Sequence, residues 1–594
     1  MKNYYVLILT LAVFLNVNIS LSNQTSKHEE NSYKLSIPKI LSESDKKIYL
    51  EINSLHVAGK WDEANEKKRN IKNKLLFGYL EYDKLMHPNR YRSSYQELYD
   101  WIKKYNDYPV VMQRRVYNLM VKRSLETKAP AIIKKPKYGK YLRGYGENKK
   151  KYETLIMREK RKKRIPISEN LSTIITNQEY KKIFDHYQAN QKLKLEIIYA
   201  LHKEAEKNFY RANLEKSFST FDFLISKIKI KDPQIFFKAG LNAFRLKNYN
   251  KSFELFRSCN IAINKSEVKF SPRLKSACSY WEAKLTSNKQ NRRKLLLLAS
   301  KHDRTLYGQL AIEKLNHKEN FKWTVKDYEN LNSKNENIYK LNAFKRLIAL
   351  SQLNAYDKAD LEMRNLYSKL ENNKSNNKFL FHLSEKLDLA AVQMRLGESF
   401  INKDYILFMR GMYPTPAWIL EEGFIFDKAF IYAIIRRESA FHFRAKSAKG
   451  ARGLMQLMPR TASKIKKDYR LRYGHKHQLY TLDLNLELGQ KLLKELVQNP
   501  NIKNSILNTL IAYNAGIKKL KKWNQIINES DPLAYIESIP IKETRMFVKY
   551  ILTDLWIYRD KLGQSKPTRE MLANDKWPTI PSQDFLVMRD AKLR

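Results

Sequence analysis

Glycine, proline and cysteine are scarce in this chain. Its 594 residues include 16 glycines, 17 prolines and 2 cysteines. So few helix-breaking residues, together with many leucine, lysine, glutamate and alanine residues, predict helices almost throughout. A chain of this length is also expected to contain more than one domain. We therefore predict an all-α protein with at least two domains.

Long hydrophobic runs are also missing, with one short exception at the start of the chain. Lys2 supplies a positive charge, and residues 4–15 form a compact apolar stretch followed by polar residues. This pattern is typical of a cleavable secretory signal, predicted over residues 1–22 with cleavage within 19–26. The stretch is short for a membrane span, and no nearby cysteine offers a lipid attachment site. We expect no transmembrane anchor after cleavage.

Acidic residues are too few to balance the basic ones. The chain has 61 Asp and Glu against 112 Lys and Arg, which is a formal net charge of +51. This excess suits a polyanionic partner, but it does not identify one. Two basic stretches, 148–151 and 158–164, are interpreted as solvated faces or a loop. Because a secreted protein rarely meets nucleic acid, we expect no nucleic-acid partner.

Histidine and cysteine do not form a metal-binding pattern. His475 and His477 flank a lysine in a polar loop, without cysteines or an acidic cluster at ligand spacing. We expect neither a metal site nor a cofactor. Cys259 and Cys278 can pair in an oxidising compartment, but their spacing does not require a disulfide. That pairing is left open.

Residues 38–390 are interpreted as successive amphipathic helices joined by short polar turns. The stretch 235–256 resembles a tetratricopeptide-like hairpin, in which small residues around Gly240 permit close packing and residues 247–249 form the turn. Later segments suggest further hairpins. This part of the chain is therefore predicted to be a helical solenoid.

One carboxylate stands at the end of an apolar helix in the last third of the chain. Asp427 is positioned to cap this helix, and apolar residues recur at helical spacing. Phe430, Ile434 and Glu438 are four residues apart, so the carboxylate shares a face with two core residues. Burial and the helix C-terminus are both expected to raise the pKa of Glu438, as a general acid requires. From the helix alone, a surface position for Glu438 remains an alternative.

Two arginines precede this carboxylate and would lower its pKa if they reached it. Arg436 and Arg437 do not share the face of Phe430 and Ile434, so we expect both to point elsewhere.

A series of short motifs follows in order. They are Glu438-Ser439-Ala440-Phe441, Ser447, Gly450-Ala-Arg-Gly-Leu-Met-Gln-Leu-Met-Pro459, Thr461-Ala462, Asn485 and Gly489, Ala512-Tyr-Asn-Ala-Gly516, and Ile539-Pro-Ile-Lys-Glu-Thr-Arg545. In residue type and order they resemble the catalytic domain of the lytic transglycosylases, in particular the soluble periplasmic family with a long helical N-terminal region. One position departs from the family pattern, because Phe547 stands where a tyrosine is usual. Any hydrogen bond from that hydroxyl is therefore lost.

The resemblance implies a fold and an activity. The fold would be a helical superhelix over residues 38–390, followed by a lysozyme-like, α-rich catalytic domain over 395–594. The activity would be cleavage of the β-1,4 bond between N-acetylmuramic acid and N-acetylglucosamine in peptidoglycan of the periplasm. Glycan strands are then the expected partner, and other cell-wall enzymes are left open as partners.

The implied mechanism uses one carboxylate twice. Glu438 would protonate the leaving oxygen and then take the proton of the C6 hydroxyl, which closes a 1,6-anhydro ring without water. Ordinary glycosidases use a second carboxylate, whereas here no acid follows Glu438 until Asp468. Asp483 and Glu487 are interpreted as cap and surface residues. A hydrolytic muramidase and a catalytically silent peptidoglycan-binding scaffold remain alternatives.

Three candidate substrate-binding residues lie in or near the glycine-rich motif. Ser447 and Gln456 can bind N-acetyl or hydroxyl groups, or can cap the local backbone instead. Met458 is predicted to line the sugar pocket, while Met455 is predicted to lie in the core. Gly450 and Gly453 allow either a close approach to the sugar or tight turns.

Two further candidates lie closer to the end of the chain. Tyr513 ends an apolar helix that Gly516 is predicted to cap. Its hydroxyl can reach Glu438 or the substrate, or the residue can be a buried structural tyrosine. Glu543 can bind stem peptides or amines, or can form a structural ion pair with Arg545.

Overall fold

The computed structural model describes residues 35–127, 134–145, 166–267, 269–324 and 336–580. The predicted signal and both basic stretches lie outside these ranges. Within them, the regular secondary structure is helical, and β-type pairing is limited to three isolated bridges. The all-α prediction is confirmed. No helix in the described ranges is long and apolar enough to cross a membrane.

The first of two compact units combines the chain up to residue 144 with residues 322–416. Its core holds a buried ion pair between Arg346 and Glu362. Its helices, including two short 3-10 segments, are Glu43–Ala58, Trp61–Arg69, Lys74–Leu76, Phe77–Leu85, Tyr95–Lys104, Val110–Thr127, Glu336–Lys340, Asn342–Gln352, Tyr356–Lys369, Lys374–Lys386, Ala390–Gly397, Glu398–Phe400 and Tyr405–Met412.

The second unit combines residues 145–321 with residues 417–594. Several of its helices begin with an Asp or Ser cap followed by proline, as at Asp232, Ser271 and Asp531. Its helices are Glu169–Thr176, Tyr180–Ala189, Lys194–Tyr210, Leu214–Ser226, Pro233–Arg245, Tyr249–Asn264, Pro272–Leu285, Lys289–Ser300, Leu306–Lys314, Lys428–Glu438, Pro459–Lys466, Tyr469–Arg472, Lys476–Tyr480, Leu482–Val497, Ile506–Ala515, Ile517–Ile527, Pro532–Ser538, Lys542–Lys561 and Pro567–Ala573.

The predicted helical hairpin is confirmed in this second unit. Helices Pro233–Arg245 and Tyr249–Asn264 pack closely, because a Cβ atom at Gly240 would come within 2.8 Å of the Phe256 ring. Ser252 Oγ donates to the carbonyl oxygen of Gly240 at 2.8 Å. The second helix of the hairpin is also joined to the next one along the chain by a disulfide between Cys259 and Cys278. The sequence had left that disulfide open.

The helices before residue 321 hold the end of the chain through buried and partly buried polar contacts within the second unit. Tyr307 Oη donates to Glu537 Oε1 at 2.7 Å. Lys284 pairs with Asp531 at 2.9 Å, and Arg569 pairs with Glu313 at 2.6 Å. Both compact units are discontinuous along the chain, and the catalytic domain starting at residue 395 stays a prediction.

Candidate active site

The helix that ends at Glu438 has the predicted cap and the predicted buried face. It spans Lys428–Glu438, and the Asp427 side chain accepts the amide hydrogen of Ala429 at 3.3 Å. Phe430 and Ile434 are fully buried. These local predictions are confirmed. They could be made from the sequence because capping and helical periodicity depend on residues close in the sequence.

Glu438 is only partly exposed at the end of this helix. Burial, and secondly the negative charge of Glu543, raise the pKa of Glu438 to about 8. Burial acts in this direction because it disfavours the charged carboxylate. At neutral pH Glu438 is therefore mostly protonated and can donate a proton.

The two arginines before Glu438 are turned toward Asp554. Arg436 Nη1 lies 3.1 Å from Asp554 Oδ2, and Arg437 Nη2 lies 2.8 Å from Asp554 Oδ1. Asp554 is fully buried. Burial opposes its ionisation, but the two arginines hold its pKa below the usual value. The predicted orientation of the arginines is confirmed, and Asp554 is the partner that sequence reasoning missed.

The glycine-rich segment folds into a compact loop held by Asn485. The buried Asn485 accepts the amide hydrogen of Met455 at 2.8 Å. Its Nδ2 donates to the carbonyl oxygens of Arg452 at 3.0 Å and Leu479 at 2.7 Å. Two antiparallel bridges, Lys446 with Arg452 and Arg452 with Leu457, close the loop. One amide side chain thus sets the shape of the segment that follows the candidate acid.

Gly453 and Gly450 both have positive φ, but only Gly453 is tightly enclosed. A Cβ atom at Gly453 would overlap Asn485 Nδ2 and Leu479 O, whereas one at Gly450 would meet nothing within 4 Å. The close approach at Gly453 is therefore made to the protein's own backbone and to Asn485. Gly450 is accounted for by its turn conformation, with φ of +89°.

This difference predicts unequal effects of two alanine substitutions. We expect Gly453→Ala to lower the free energy of unfolding by about 1–3 kcal/mol more than Gly450→Ala, because only the first adds overlap to backbone strain. Denaturant unfolding of both variants measures the difference. Gly450→Ala is the matched control for the positive φ. Equal destabilisation of the two variants would show that Asn485 and its neighbours shift to make room for the added Cβ atom at position 453.

Two candidate substrate-binding residues of this loop, Ser447 and Gln456, form hydrogen bonds to the local backbone. Ser447 Oγ accepts the amide hydrogen of Ala451 at 3.0 Å. Gln456 Nε2 donates to the carbonyl oxygens of Gly453 and Ala445 at 2.8 and 3.2 Å. Both side chains thus stabilise the local backbone. A hydroxyl and an amide each have hydrogen-bonding capacity beyond these contacts.

The two methionines of the loop separate as predicted. Met455 is fully buried and its side chain fills the space above Gly489. Met458 is 41% exposed. The core position of Met455 is confirmed, while a pocket role for Met458 stays a prediction.

Tyr513 connects the glycine-rich loop to the surroundings of Glu438. It lies in the last turn of the helix Ile506–Ala515, which Gly516 caps. Its hydroxyl donates to the carbonyl oxygen of Met455 at 2.7 Å. Burial, and secondly the charge of Glu438, raise the pKa of Tyr513 well above its usual value. The side chain is thus a structural contact close enough to Glu438 to interact with its charge.

Glu543 and Arg545 do not form the ion pair that was one alternative for Glu543. Arg545 is buried, with its guanidinium 4.6 Å from the Tyr210 ring centroid and a hydrogen bond to Ile539 O. Glu543 is exposed, and within the described ranges no ion pair joins these two residues. The negative charge of Glu543 acts on Glu438 and contributes to its raised pKa.

Phe547 lies one helical turn after Glu543 and packs beside Tyr513. The two rings are nearly parallel, with centroids 6.3 Å apart. An apolar ring is therefore accommodated at the position where the family pattern has a tyrosine. Among the described residues, no group of three or more His, Cys, Asp or Glu side chains is placed to hold a metal ion.

Glu438, Glu543 and Tyr513 thus form an electrostatically connected group at the junction of three helices. A protonated acid with an exposed carboxylate and a tyrosine close to it is an arrangement suited to acid-assisted bond cleavage. Asp483 and Glu487 stand apart from this chemistry. Glu487 pairs with Lys466 and Lys491 at 2.9 and 2.6 Å, and Asp483 accepts from the amide of Glu421 at 3.4 Å.

Comparison with protein families agrees with the motif series. Residues 420–536 match the family described as the Transglycosylase SLT domain. Two curated relatives are the soluble lytic murein transglycosylases of Salmonella typhimurium, 33% identical over 153 residues, and Escherichia coli K12, 34% identical over 152 residues. Each match covers 25% of this chain and 23% of the relative's length. The predicted resemblance to soluble lytic transglycosylases is confirmed.

Solved structures extend the likeness in fold to most of the chain. The 70-kDa soluble lytic transglycosylase of Escherichia coli superposes with a TM-score of 0.50 at 16% identity, covering 91% of this chain and 100% of that one. Its complex with bulgecin A gives a TM-score of 0.52 at 16% identity, over 92% and 99% of the two chains. At this identity the likeness concerns the fold alone. The predicted fold class, a helical superhelix followed by a lysozyme-like α-rich domain, is confirmed.

Proposed function

We propose that this protein is a peptidoglycan lytic transglycosylase. It cleaves the β-1,4 bond between N-acetylmuramic acid and N-acetylglucosamine and leaves 1,6-anhydro-muramic acid ends. The observation that carries this proposal is Glu438, a carboxylic acid at the end of the helix Lys428–Glu438 whose burial raises its pKa to about 8. The match of residues 420–536 to the transglycosylase SLT domain supports it.

In the first step, Glu438 donates its proton to the glycosidic oxygen as the bond breaks. A pKa of about 8 keeps the acid protonated at neutral pH. Arg436 and Arg437 are paired with Asp554, which balances their positive charges. They therefore do not favour the ionised form of Glu438. Developing positive charge on the sugar ring is then stabilised by the carboxylate that the proton has left.

In the second step, the same carboxylate removes the proton of the C6 hydroxyl. The hydroxyl oxygen attacks the anomeric carbon and closes the 1,6-anhydro ring, and Glu438 regains its proton. Because a group with a raised pKa is also a stronger base, one residue serves both steps. We propose that Ser447, Gln456, Met458, Tyr513 and Glu543 line the substrate cleft.

The products test this proposal against a hydrolytic muramidase. We expect digests of purified sacculi to contain muropeptides with 1,6-anhydro ends, because the C6 hydroxyl replaces water as the attacking group. Mass spectrometry separates them from hydrolysis products, which are heavier by one water. Predominance of reducing ends would identify a muramidase. Absence of turnover in the folded protein would leave only a peptidoglycan-binding scaffold.

The pH dependence tests the state of Glu438. We expect kcat/KM to fall as pH rises through about 8, because the proton donor is lost above its pKa. Initial rates on soluble muropeptides between pH 5 and 10 measure this alkaline limb. A profile without this alkaline limb, already at its low level at about pH 5, would show that Glu438 ionises near the ordinary carboxyl value of 4.5 in the free enzyme.

Location and partners follow from the same proposal. We propose that the protein acts in the periplasm on glycan strands, with the first 22 residues removed as a secretory signal. The net charge of +51 supports an interaction with strands whose stem peptides carry carboxylates.

A further inference from the structure

A cavity of about 390 Å³ lies next to the helix Lys542–Lys561, on residues that the proposed chemistry does not use. Its other walls come mainly from the helices Pro233–Arg245, Pro272–Leu285 and Leu306–Lys314. All of these belong to the second compact unit. The volume is that of an ordinary small-molecule pocket.

The walls of this cavity carry an excess of positive charge. Four basic side chains line it, namely Arg273, Arg304, Lys542 and Lys549, against the single carboxylate of Glu537. Glu537 is buried and already accepts hydrogen bonds from Lys549 and Tyr307. Lys549 is thus paired within the cavity wall, and Arg304 acts on the buried Asp554. Arg273 and Lys542 are the cations that an acidic ligand would meet.

Two of these cations stand where a ligand would enter. Arg273 and Lys542 are exposed, and within the described ranges neither takes part in an ion pair. The Arg273 guanidinium lies 4.5 Å from the centroid of the Tyr550 ring, which restricts its position. A planar guanidinium in a fixed position can bind a carboxylate through two parallel hydrogen bonds.

The cavity is also close to the candidate acid. The guanidinium of Arg437, the residue before Glu438, lies 4.3 Å from the centroid of the same Tyr550 ring. The helix Lys542–Lys561 contributes Tyr550 to the cavity and Glu543 to the surroundings of Glu438. One aromatic ring and one helix thus connect the cavity with the active site.

We propose that this cavity binds an acidic ligand with at least two carboxylates, of the kind that peptidoglycan stem peptides present. Arg273 and Lys542 each hold one carboxylate, and the apolar walls around Phe270 and Met546 take the aliphatic part of the ligand. The choice of stem peptides rests on the proposed function. The carboxylate chemistry rests on the cavity alone, and a free dicarboxylate is the other source.

Calorimetric titration of the full chain tests this site. The protein carries Glu438→Gln, so that binding is measured without turnover. The probes are a sugar-free stem peptide, glutarate as a plain dicarboxylate, and inorganic phosphate. We expect the stem peptide to bind most tightly, and the double variant R273Q/K542Q to weaken it about tenfold or more. Raised salt should also weaken binding, because both cations are exposed.

The matched control is R293Q/K314Q, which removes the same two charges from exposed residues outside the cavity. It should bind as the parent does. If R273Q/K542Q unfolds, as judged by circular dichroism, the exposed single variant K542Q replaces it and should still weaken binding by about threefold.

Several results would overturn the proposal. If none of the acidic probes binds, or if the control variant R293Q/K314Q loses as much affinity as R273Q/K542Q, the cavity is not the binding site. Phosphate binding as tight as that of glutarate contradicts the carboxylate assignment. Equal affinity for glutarate and the stem peptide contradicts the proposal that the ligand is a peptidoglycan stem peptide. None of these measurements needs turnover. Failure to form anhydro products would therefore disprove the proposed function and leave the binding site in this cavity to be judged from the titrations alone.

Discussion

Glu438→Gln should leave the protein folded and lower its cleavage rate by a factor of about 10²–10⁴ or more, the range lost with a general acid–base residue. An amide keeps the size of the side chain, but it can neither donate the proton to the glycosidic oxygen nor accept one from the C6 hydroxyl. Release of muropeptides from purified sacculi measures the loss. Circular dichroism and thermal unfolding establish that the variant is folded.

Two other glutamates make this experiment specific. Glu487→Gln is the matched control, since Glu487 only pairs with Lys466 and Lys491 on the surface. It should retain wild-type turnover. Glu543→Gln tests for a second catalytic carboxylate, because Glu543 is the acid whose charge acts on Glu438.

Glu543→Gln should retain much more activity than Glu438→Gln. It should also move the alkaline limb of kcat/KM to lower pH, because removing a neighbouring negative charge lowers the pKa of Glu438. An equal loss of turnover in both variants would mean that two carboxylates share the chemistry. Retention of more than about a few per cent of turnover in Glu438→Gln would remove the single-acid mechanism.

Local features of the site could be predicted from the sequence, because they depend on neighbouring residues. The cap at Asp427 and the buried face of Phe430 and Ile434 follow from helical spacing. The separation of Met455 from Met458 and the cap at Gly516 were also predicted. In each case the pattern lies within one helix or one turn.

Contacts between distant parts of the chain could not be predicted from one sequence. Asp554 lies more than a hundred residues from Arg436 and Arg437, and nothing in its local sequence indicates that it pairs with both. The three hydrogen bonds of Asn485 and the stacking of Arg545 on Tyr210 are also set by packing. The same holds for the cavity beside Lys542–Lys561, whose walls come from five separate helices.

Asp554 gives the second large prediction. We expect Asp554→Asn to destabilise the second unit by about 3–5 kcal/mol, because removing one partner of a buried ion pair leaves uncompensated charge. Asp554 is fully buried, Arg436 is 4% exposed, and both arginines depend on the same carboxylate. Thermal and denaturant unfolding should both show the loss.

The same variant should change the chemistry in a defined direction. Without Asp554, the positive charge of Arg437 next to Glu438 is no longer balanced, and a nearby cation favours the ionised carboxylate. The pKa of Glu438 should therefore fall from about 8, and the alkaline limb of kcat/KM should move to lower pH. The shift is measured at a temperature where the variant is still folded.

Asp560→Asn, on the same helix, is the matched control. Asp560 pairs with Lys566 at 3.0 Å, with its side chain 20% exposed. Its loss should cost at most about 1 kcal/mol, as for other partly exposed ion pairs, and should leave the pH profile in place. A variant at Asp554 that loses stability but keeps the alkaline limb near pH 8 would show that Arg437 remains oriented away from Glu438 by its contact with Tyr550. In that case burial and Glu543 alone set the pKa of the acid, and the role of Asp554 is confined to stability.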